Sequence, residues 1–540
     1  MKTILLSTYA AALLIFPTTN FAQAPDLGTA ANFVLFSSVG AVTNTGITHL
    51  TGNVGTNSGS STGFGNVNGV MADGGPLSAQ ASADLLIAYN QLNAATPTFF
   101  PSSTLGNGQI LVPGVYSIGE AAILNLDLIL NAQGDPNAVF IFQIDGAFSA
   151  NPSSKVKLIN GALACNVFWK AEGLVSIAAG TTMRGTIIAN NAAINMNVGD
   201  TLEGRALSTN GAVTVDGILG YTPLGCGTPV LTGPTAPDLG STECYALFSG
   251  NGAVSNSGIT YVTGDVGTNT GLTTGFNPSY VTGTIHPIPD ASTAAAASDL
   301  AVVYDYLNTL PVDINLLYPA QFGNNLVLTP HTYLLDAATV FTDTLYLNAQ
   351  GNSDAVFVIK MNGALSSSTY SNVKLINGAQ SKNVYWKIEG AVGINNYSVF
   401  RGTLICNNGA LGALNTGVEF DGRALTTTGA LTTTAMTVVA TTIPSGCSTP
   451  VGIEENGTGP VLTIYPNPFI GSTTISVSDA SLSDKAQLSI YNVSGVEVFR
   501  VQMKNEANSF TIGGLPSGIY FYRLMDGENV IRSGKLVSQE

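Results

Sequence analysis

Residues 40–48 read GAVTNTGIT and residues 252–260 read GAVSNSGIT, so the chain repeats this stretch almost unchanged. The match extends outward on both sides. DLG at residues 26–28 returns at 238–240, and VKLING at 156–161 returns at 373–378. A duplication on this scale predicts two homologous domains of about 200 residues, domain 1 at residues 25–222 and domain 2 at residues 238–442.

A shorter motif recurs inside each domain, in which a small polar residue lies between aliphatic ones. In domain 1 it includes VSI at residues 175–177, INMN at 194–197 and VTV at 213–215. Short repeats that cannot bury a face alone are typical of stacked solenoids. Period-2 alternation then turns the aliphatic side chains inward and the small polar ones outward.

A second class of strand is apolar on both faces, as in VFIF at residues 139–142 and VFVI at 356–359. Such strands need a cover on their outer side. Residues 78–94 are predicted to form that covering helix, and domain 2 repeats the pattern. The helical stripes are Leu85, Ala88, Tyr89 and Leu92 in domain 1, and Leu300, Val303, Tyr304 and Leu307 in domain 2. The predicted fold is mainly β: two tandem β-solenoid domains, each with one long helix packed alongside, plus a small C-terminal β-sandwich.

The outward positions form a surface with almost no charge. Thr carries a methyl and a hydroxyl on a stiff side chain, so a flat lattice of such groups would hold ordered water. Ice is the partner that best matches such a lattice. The predicted outward positions in domain 1 are Thr43, Thr45, Asn125, Asp127, Ser149, Asn151, Ser176, Ala178, Asn195, Asn197, Thr214 and Asp216. In domain 2 they are Ser255, Ser257, Thr342, Thr344, Ser366, Ser368, Gly393, Asn395, Gly412, Leu414, Thr432 and Thr434. A slip of one residue in register would reverse the face.

The same residues carry a resemblance to the microbial ice-binding protein family. Both repeats are similar to it in the opening DLG, the GAVTNTGIT coil, TGNVG at residues 51–55 and the VFWK strand at 167–170. The resemblance implies a discontinuous β-solenoid with a long parallel helix. It also implies that the N-terminal coil lies beside the C-terminal coil, with Thr43 and Thr45 next to Thr214. TGIT at residues 45–48, TGFN at 274–277 and TAMT at 434–437 are similar to the ice-binding motifs of that family.

From the pattern and the resemblance together, we expect a secreted ice-binding (antifreeze) protein that inhibits ice growth and recrystallisation. We expect domain 2 to bind more strongly, because its predicted face has more Ser and Thr and no carboxylate. The candidate ice-binding residues are Thr43, Thr45, Thr48, Ser149, Asn151, Ser176, Asn195, Asn197, Thr214, Ser255, Ser257, Thr260, Thr342, Thr344, Ser366, Ser368, Asn395, Thr432, Thr434 and Thr437.

Composition excludes several other classes of function. The chain has 540 residues, a net charge of −15 and only 18 Lys and Arg, which argues against nucleic acid or an anionic membrane as partner. Its three His and five Cys leave little for a metal site, and we expect no cofactor. The cysteines show no disulfide framework, although Cys226 with Cys244 is one possible bridge.

Charged residues that recur in both domains raise the alternative of a polysaccharide lyase, because such enzymes use Arg, Lys and carboxylates for proton abstraction. No His recurs with them, so we favour paired charges on the coils and expect no enzyme. A surface adhesin or carbohydrate-binding protein is the other alternative, but the predicted face has no aromatic platform. The recurring charges are Lys170 and Lys387, Glu172 and Glu389, Arg184 and Arg401, and Arg205 and Arg423.

Both ends of the chain look like targeting segments. Residues 1–24 have the basic, apolar and small-residue regions of a signal peptide, with an apolar run too short to span a membrane. Residues 461–540 resemble the C-terminal sorting domain of type IX secretion, through YPNPF at 465–469, IYNVSG at 490–495 and LPSGIY at 515–520. Linkers are predicted at residues 223–237 and 443–460. We therefore expect a monomer, secreted or attached to the cell surface, with the type IX machinery as its partner during export.

Overall fold

A computed structural model describes residues 22–227, 230–444, 447, 461–478, 486–502, 508–527 and 529–539. The predicted signal peptide lies outside the described residues except for its last three positions, and so does most of the second predicted linker. The chain divides into two compact units at Cys447. The first unit holds both solenoid domains, the second holds the C-terminal domain, and each is described by itself.

Domain 1 is a parallel β-solenoid with two sheets. Its eight-stranded front sheet, here front sheet 1, runs in the order Thr104–Gly106, Ala122–Asn125, Phe148–Ala150, Val175–Ile177, Ile194–Met196, Val213–Asp216, Val42–Thr45 and Ser61–Thr62. The 13-stranded side sheet 1 contains Phe33–Val39, His49–Thr51, Asn53–Ser58, Met71–Asp73, Gln109–Leu111, Gly114–Ile118, Asp127–Asn131, Phe140–Ile144, Lys155–Ile159, Val167–Ala171, Thr182–Ala189, Thr201–Ser208 and Leu219–Tyr221. The N-terminal coil follows the last C-terminal coil, as the family resemblance implied.

Domain 2 repeats this architecture. Its eight-stranded front sheet 2 runs in the order Phe322–Gly323, Thr339–Thr342, Leu365–Ser367, Val392–Ile394, Leu411–Leu414, Leu431–Thr434, Val254–Ser257 and Thr273–Thr274. The 14-stranded side sheet 2 contains Tyr245–Ser249, Tyr261–Thr263, Asp265–Thr268, Val281–Thr282, Ile314–Asn315, Leu326–Leu328, Thr332–Leu335, Thr344–Asn348, Phe357–Met361, Asn372–Ile376, Val384–Glu389, Val399–Asn407, Glu419–Thr426 and Thr437–Val439. The predicted tandem β-solenoid fold is confirmed.

Each solenoid has two layers of core. In domain 1 the first layer fills the coil interior and includes Phe140 and Phe142, whereas Ile141 points outward into a second layer under helix α1 (Pro76–Ala94). Leu85 and Leu92 of α1 are fully buried there, and each such side chain contributes about 1.5–3 kcal/mol. The predicted helix over residues 78–94 is confirmed and begins two residues earlier, at a proline.

Helix α2 (Ala291–Thr309) covers domain 2 in the same way and has a stronger start. The Asp290 side chain caps it by accepting the backbone N–H of Thr293 at 2.9 Å. Buried His286 places Nδ1 2.6 Å from Asp290 Oδ2 and Nε2 3.9 Å from Asp265 Oδ2. The strand registers put Ala72 at the equivalent position of domain 1, so this histidine is particular to domain 2. Neither helix, nor any other in the described part of the chain, is long and apolar enough to cross a membrane.

Two disulfides correct the predicted Cys226–Cys244 bridge. Cys165 of domain 1 pairs with Cys226 in the segment that follows it, and Cys244 at the start of domain 2 pairs with Cys447 just beyond its end. Each bridge therefore ties the segment that leaves a solenoid back to that same solenoid. Nearness in the sequence suggested the wrong pair, because Cys165 and Cys447 reach their partners only in the folded coils. Cys406 is a buried free thiol.

The C-terminal domain is the predicted small β-sandwich. One sheet holds Val461–Tyr465, Ser472–Ser478 and Asn508–Gly513. The other holds Phe469–Ile470, Ala486–Asn492, Glu497–Gln502, Gly518–Asp526 and Asn529–Gln539. Ile475 of the first sheet and Leu488, Ile490 and Leu524 of the second are fully buried in one shared core.

Candidate functional site

Front face 1 is the set of side chains that point outward from front sheet 1. Its first column crosses all eight strands in register, one residue per coil. The flanking aliphatic residues of these strands point inward and are buried, so the backbone alternation itself fixes the outward direction. The first column consists of Thr104, Ile123, Ser149, Ser176, Asn195, Thr214, Thr43 and Thr62.

A second column runs beside the first, two residues further along each strand. Asn151 Nδ2 donates to Asn125 Oδ1 at 2.9 Å, and Asn125 Nδ2 donates to Asn107 Oδ1 at 2.8 Å. Within the first column, Thr43 donates its hydroxyl to Thr214 Oγ1 at 3.2 Å. These lateral hydrogen bonds set the side-chain positions before any partner arrives, which lowers the entropy lost on binding. The second column contains Asn125, Asn151, Ala178, Asn197, Asp216 and Thr45.

Front face 2 has the same two columns with one irregularity. Ser255 and Thr432 hydroxyls lie 3.4 Å apart, and Ser257 donates to Thr434 Oγ1 at 3.2 Å. The strand Leu411–Leu414 carries a register shift, so two residues oppose one on the next strand. The first column is Val340, Ser366, Gly393, Gly412 with Ala413, Thr432, Ser255 and Thr274. The second column contains Thr342, Ser368, Asn395, Thr434 and Ser257.

Several candidate residues lie elsewhere. Asp127, Thr344 and Thr437 belong to the side sheets, because a corner precedes each of their strands. Leu126 and Asp343 turn two of these corners with φ near +55°. The alternation of inward and outward side chains along the front strand therefore ends before Asp127 and Thr344. The outward residues in those coils are instead Ile123 and Val340. Leu414, also predicted outward, is fully buried.

Thr48 and Thr260 occupy equivalent corners and use their hydroxyls within the fold. Thr48 donates to Asn44 Oδ1 at 2.5 Å and accepts the N–H of Ile218 at 3.1 Å. Thr260 is 3% exposed and donates to Asn256 Oδ1 at 2.6 Å. The structure therefore does not bring these two residues to a front face. Thr62 and Thr104 were not predicted on the face, because neither lies between two aliphatic residues as most other members of the column do. Thr274, singled out only through the family motif at residues 274–277, lies in the first column of front face 2.

The front faces carry little charge. Within the described residues, Asp216 is the one carboxylate in the two columns of front face 1, and the columns of front face 2 hold none. Asp127, predicted on the face, instead binds Lys157 at 2.6 Å on side sheet 1. Apart from Asp216, the two columns of each face thus lack the charged groups that would strongly orient water or attract ions.

The recurring charged residues form internal pairs. Lys170, 3% exposed, lies 2.7 Å from Glu172 beneath α1, and Lys387 lies 2.6 Å from Glu389 beneath α2. Burial raises the pKa of Glu172, but hydrogen bonds from Asn190, Lys170 and Tyr89 outweigh it and bring the pKa below its ordinary value. These groups tie each helix to its solenoid and do not line an open cleft.

The four recurring arginines also bond within the fold, two of them in ion pairs and two with backbone carbonyls. Arg184 binds Glu203 at 2.8 Å, and Arg401 binds Asp421 at 3.0 Å. Arg205 donates to the carbonyl of Ala31 at 2.7 Å, and Arg423 donates to the carbonyl of Glu243 at 2.7 Å. Within the described ranges, no three His, Cys, Asp or Glu side chains come together as a metal site.

The fold and its repeated surface define a class: a tandem, discontinuous β-solenoid with a flat, weakly charged front face on each domain. A family model described as Ice-binding-like matches residues 36–219 and 248–439. The chain belongs to this family. A second model, described as a Secretion system C-terminal sorting domain, matches residues 463–539. This match confirms the predicted type IX sorting domain, and with it a product released from the cell or attached to its surface.

Similar proteins carry the same description. An ice-binding protein of Nostoc sp. (strain HG1) is 39% identical over 194 residues, which are 35% of this chain and 71% of that protein. Ice-binding protein 1 of Shewanella frigidimarina (strain NCIMB 400) is 25% identical over 413 residues, 68% of this chain and 43% of that protein. A crystal structure of an ice binding protein from an Antarctic Flavobacteriaceae bacterium is 58% identical, with a TM-score of 0.77. The superposed region covers 79% of this chain and 100% of the Flavobacteriaceae protein in that structure.

Proposed function

We propose that this secreted protein adsorbs to ice through front faces 1 and 2 and so inhibits ice growth and recrystallisation. The observation that carries the proposal is the regular lattice of small outward side chains on both front sheets. Along a column these groups repeat at about 4.8 Å, and along a strand at about 6.6–6.8 Å, because the backbone of the sheet fixes both spacings. Membership of the Ice-binding-like family supports the same assignment.

The chemistry of the lattice suits a partner made of water. Hydroxyl and amide groups anchor first-layer water, whereas the methyl groups of Thr and the side chains of Ile123 and Val340 leave the water above them bonded only to other water. Bridging waters of this kind serve as part of an interface with little enthalpic loss. A surface with few fixed charges disturbs such a layer little, so the protein can share its ordered water with the crystal.

The finer points of the proposal concern catalysis, assembly and the two domains. We infer that the protein is not an enzyme, since the recurring charged residues bond within the fold, and we retain the expectation of a monomer. We retain domain 2 as the stronger binder, because its columns hold no carboxylate. Because Asp127 lies on side sheet 1, the two front faces differ in charge only by Asp216. The bulge at Gly412 and Ala413 makes front face 2 less regular, which should weaken its binding.

Purified full-length protein tests the function most simply. We expect it to shape ice crystals into facets during slow cooling and to stop recrystallisation in a frozen sucrose film. The expected control is the variant carrying both Thr214→Tyr and Thr432→Tyr, which should lose both activities while keeping the far-UV circular dichroism of the parent. Rounded, freely growing crystals with the parent protein would refute the proposal.

One observation favours a second candidate, carbohydrate binding. Tyr370 and Tyr397 stack at 5.3 Å at the corner that borders front face 2, and they are 70% and 51% exposed. Exposed rings of this kind can stack on sugars, as the adhesin alternative requires. Binding to a glycan array that is lost in Tyr370→Ala and Tyr397→Ala, together with an absence of ice activity, would favour this candidate over ice.

A further inference from the structure

We propose that the two front faces form one composite ice-binding surface, held in alignment by a rigid junction between the solenoids. This inference rests on the proposed ice-binding function and adds that both faces meet a single crystal plane. Front sheet 1 ends at Ser61–Thr62, and front sheet 2 begins at Phe322–Gly323. Along both sheets the coils follow the same order, so the two solenoid axes run head to tail.

The first sign of alignment is the corner between front sheet and side sheet. In domain 1 this corner contains Gly46 and Gly63, and in domain 2 it contains Asn324. These residues line one groove of about 610 Å³ between the domains. Asn66 bridges it, accepting the N–H of Tyr318 at 2.8 Å and donating to the Tyr318 carbonyl at 2.9 Å. Equivalent corners therefore face each other across the junction.

The second sign is a buried polar cluster at the next corner of the coil. Asn68 of domain 1 donates to Thr329 Oγ1 at 3.1 Å, and its Oδ1 lies 2.7 Å from the Tyr333 hydroxyl. Tyr333 is fully buried, and Asn68 and Thr329 are each 3% exposed. Two matched corners fix the rotation of one solenoid relative to the other, so front sheets 1 and 2 lie on the same side.

The connecting segment is fixed at both ends. The Cys165–Cys226 disulfide holds its start on domain 1. On domain 2, the carbonyl of Leu231 accepts from Asn352 at 3.1 Å and the carbonyl of Thr232 accepts from the N–H of Val356 at 2.8 Å. Only residues 227–230 lie between these anchors. The similar Flavobacteriaceae structure covers 79% of this chain at a TM-score of 0.77, a larger share than one solenoid alone could supply.

Alignment changes how the domains act together. Once one face adsorbs, an aligned second face is already at the crystal, and the second contact becomes intramolecular. A flexible pair of domains would lose most of this gain, because the second face would search many orientations. With eight strands each, the two sheets together extend for roughly 75 Å at the strand spacing of parallel sheets. The buried polar cluster at the junction thus positions the two front faces relative to each other, although it does not itself contact ice.

The test compares full-length chains at equal concentration. Thr214→Tyr disables front face 1, and Thr432→Tyr disables front face 2. The uncoupled chain carries Asn66→Ala, Asn68→Ala and a flexible Gly-Ser insertion of about ten residues after Gly227. Asn362→Ala, which removes a 2.7 Å hydrogen bond to Asp336 away from the junction, is the matched control. Thermal hysteresis is the readout, and small-angle X-ray scattering reports whether the domains have separated.

We expect the parent chain to exceed the summed thermal hysteresis of the two single-face variants by at least about twofold, as linked binding requires. The uncoupled chain should fall to about that sum, and Asn362→Ala should match the parent. If the thermal hysteresis of the parent equals the sum of the two single-face variants, the composite surface is refuted. It is also refuted if the uncoupled chain keeps parental thermal hysteresis although its domains have separated. Either result leaves the proposed ice-binding function intact. If neither face variant loses activity, the proposed function fails instead. A chain with the insertion and no other change provides the same comparison should the asparagine variants unfold.

Discussion

Replacing Thr432 by Tyr tests the assignment of front face 2. Thr432 lies in the first column, between Ser255 on one neighbouring strand and the Gly412–Ala413 bulge on the other. A tyrosine ring presents about 150–250 Å² of surface, and the adjacent side chains are only about 4.8 Å away. The ring would therefore stand above a plane of small groups and hold the crystal away from its neighbours.

The cost to folding should be small. The substitution removes one partly exposed hydroxyl contact, 3.4 Å from Ser255, which contributes about 0.5 kcal/mol. For a domain of this size that free energy shifts the melting temperature by about 1–2 °C. Thermal hysteresis should instead fall to about a quarter of the parental value or less, because the stronger of the two faces is removed together with the avidity of the pair. Thr432→Tyr should therefore lower thermal hysteresis strongly while leaving the melting temperature almost unchanged.

The assay is nanolitre osmometry on purified protein, with thermal unfolding followed by circular dichroism. Thr344→Tyr is the matched control, since Thr344 lies on side sheet 2 in the same domain. We expect Thr344→Tyr to keep parental thermal hysteresis. Full activity in Thr432→Tyr combined with a loss in Thr344→Tyr would show that the side sheet, and not the front sheet, meets the ice.

The remaining predictions concern stability. The carboxylates beside His286, Asp265 first, raise its pKa above 6.5, so the stability that His286 contributes to domain 2 should be complete below about pH 6.5 and be lost as the pH rises through the folded-state pKa; His286→Ala should remove this part of the dependence of the melting temperature on pH. Glu172→Leu should destabilise domain 1 by about 3 kcal/mol in urea unfolding, because Lys170 stays buried and keeps only the longer, 3.5 Å pair with Asp145, and Lys170→Met in addition should recover most of the loss. Reduction of the Cys244–Cys447 bridge, which closes a loop of 203 residues, should lower the stability of domain 2 by up to about 5 kcal/mol.

Each of these expectations has a result that contradicts it. An unchanged pH profile in His286→Ala would mean that other groups control the titration. A Glu172→Leu variant as stable as the parent would show that the ion pair beneath α1 contributes little. If dithiothreitol leaves the unfolding of domain 2 unchanged, the bridge does not constrain the unfolded chain.

Much of the fold could be predicted because local pattern and global architecture agree. The duplication around residues 40–48 and 252–260 fixes the domain count, and alternation in strands such as Val213–Asp216 fixes which side chains point outward. The apolar strand at 139–142 demanded a cover, and α1 supplies it. In each case a short stretch of sequence carries the whole signal, since strand and helix periods are local properties.

The errors arise where the path of the chain depends on contacts far away in the sequence. The corners at Leu126 and Asp343 look like ordinary strand residues, yet they turn the chain and move Asp127 and Thr344 to a side sheet. The disulfides depend on how the coils stack, which no spacing of cysteines reveals. The cluster around Tyr333 joins residues 265 positions apart and therefore left no pattern to recognise.

The most direct test of the central claim is to grow a single ice crystal in the presence of the fluorescently labelled full-length chain. We predict that the label accumulates on defined crystal planes and that the Thr214→Tyr, Thr432→Tyr double variant leaves the ice dark. An unlabelled crystal with the parent protein, or equal labelling by the double variant, would contradict adsorption through the front faces.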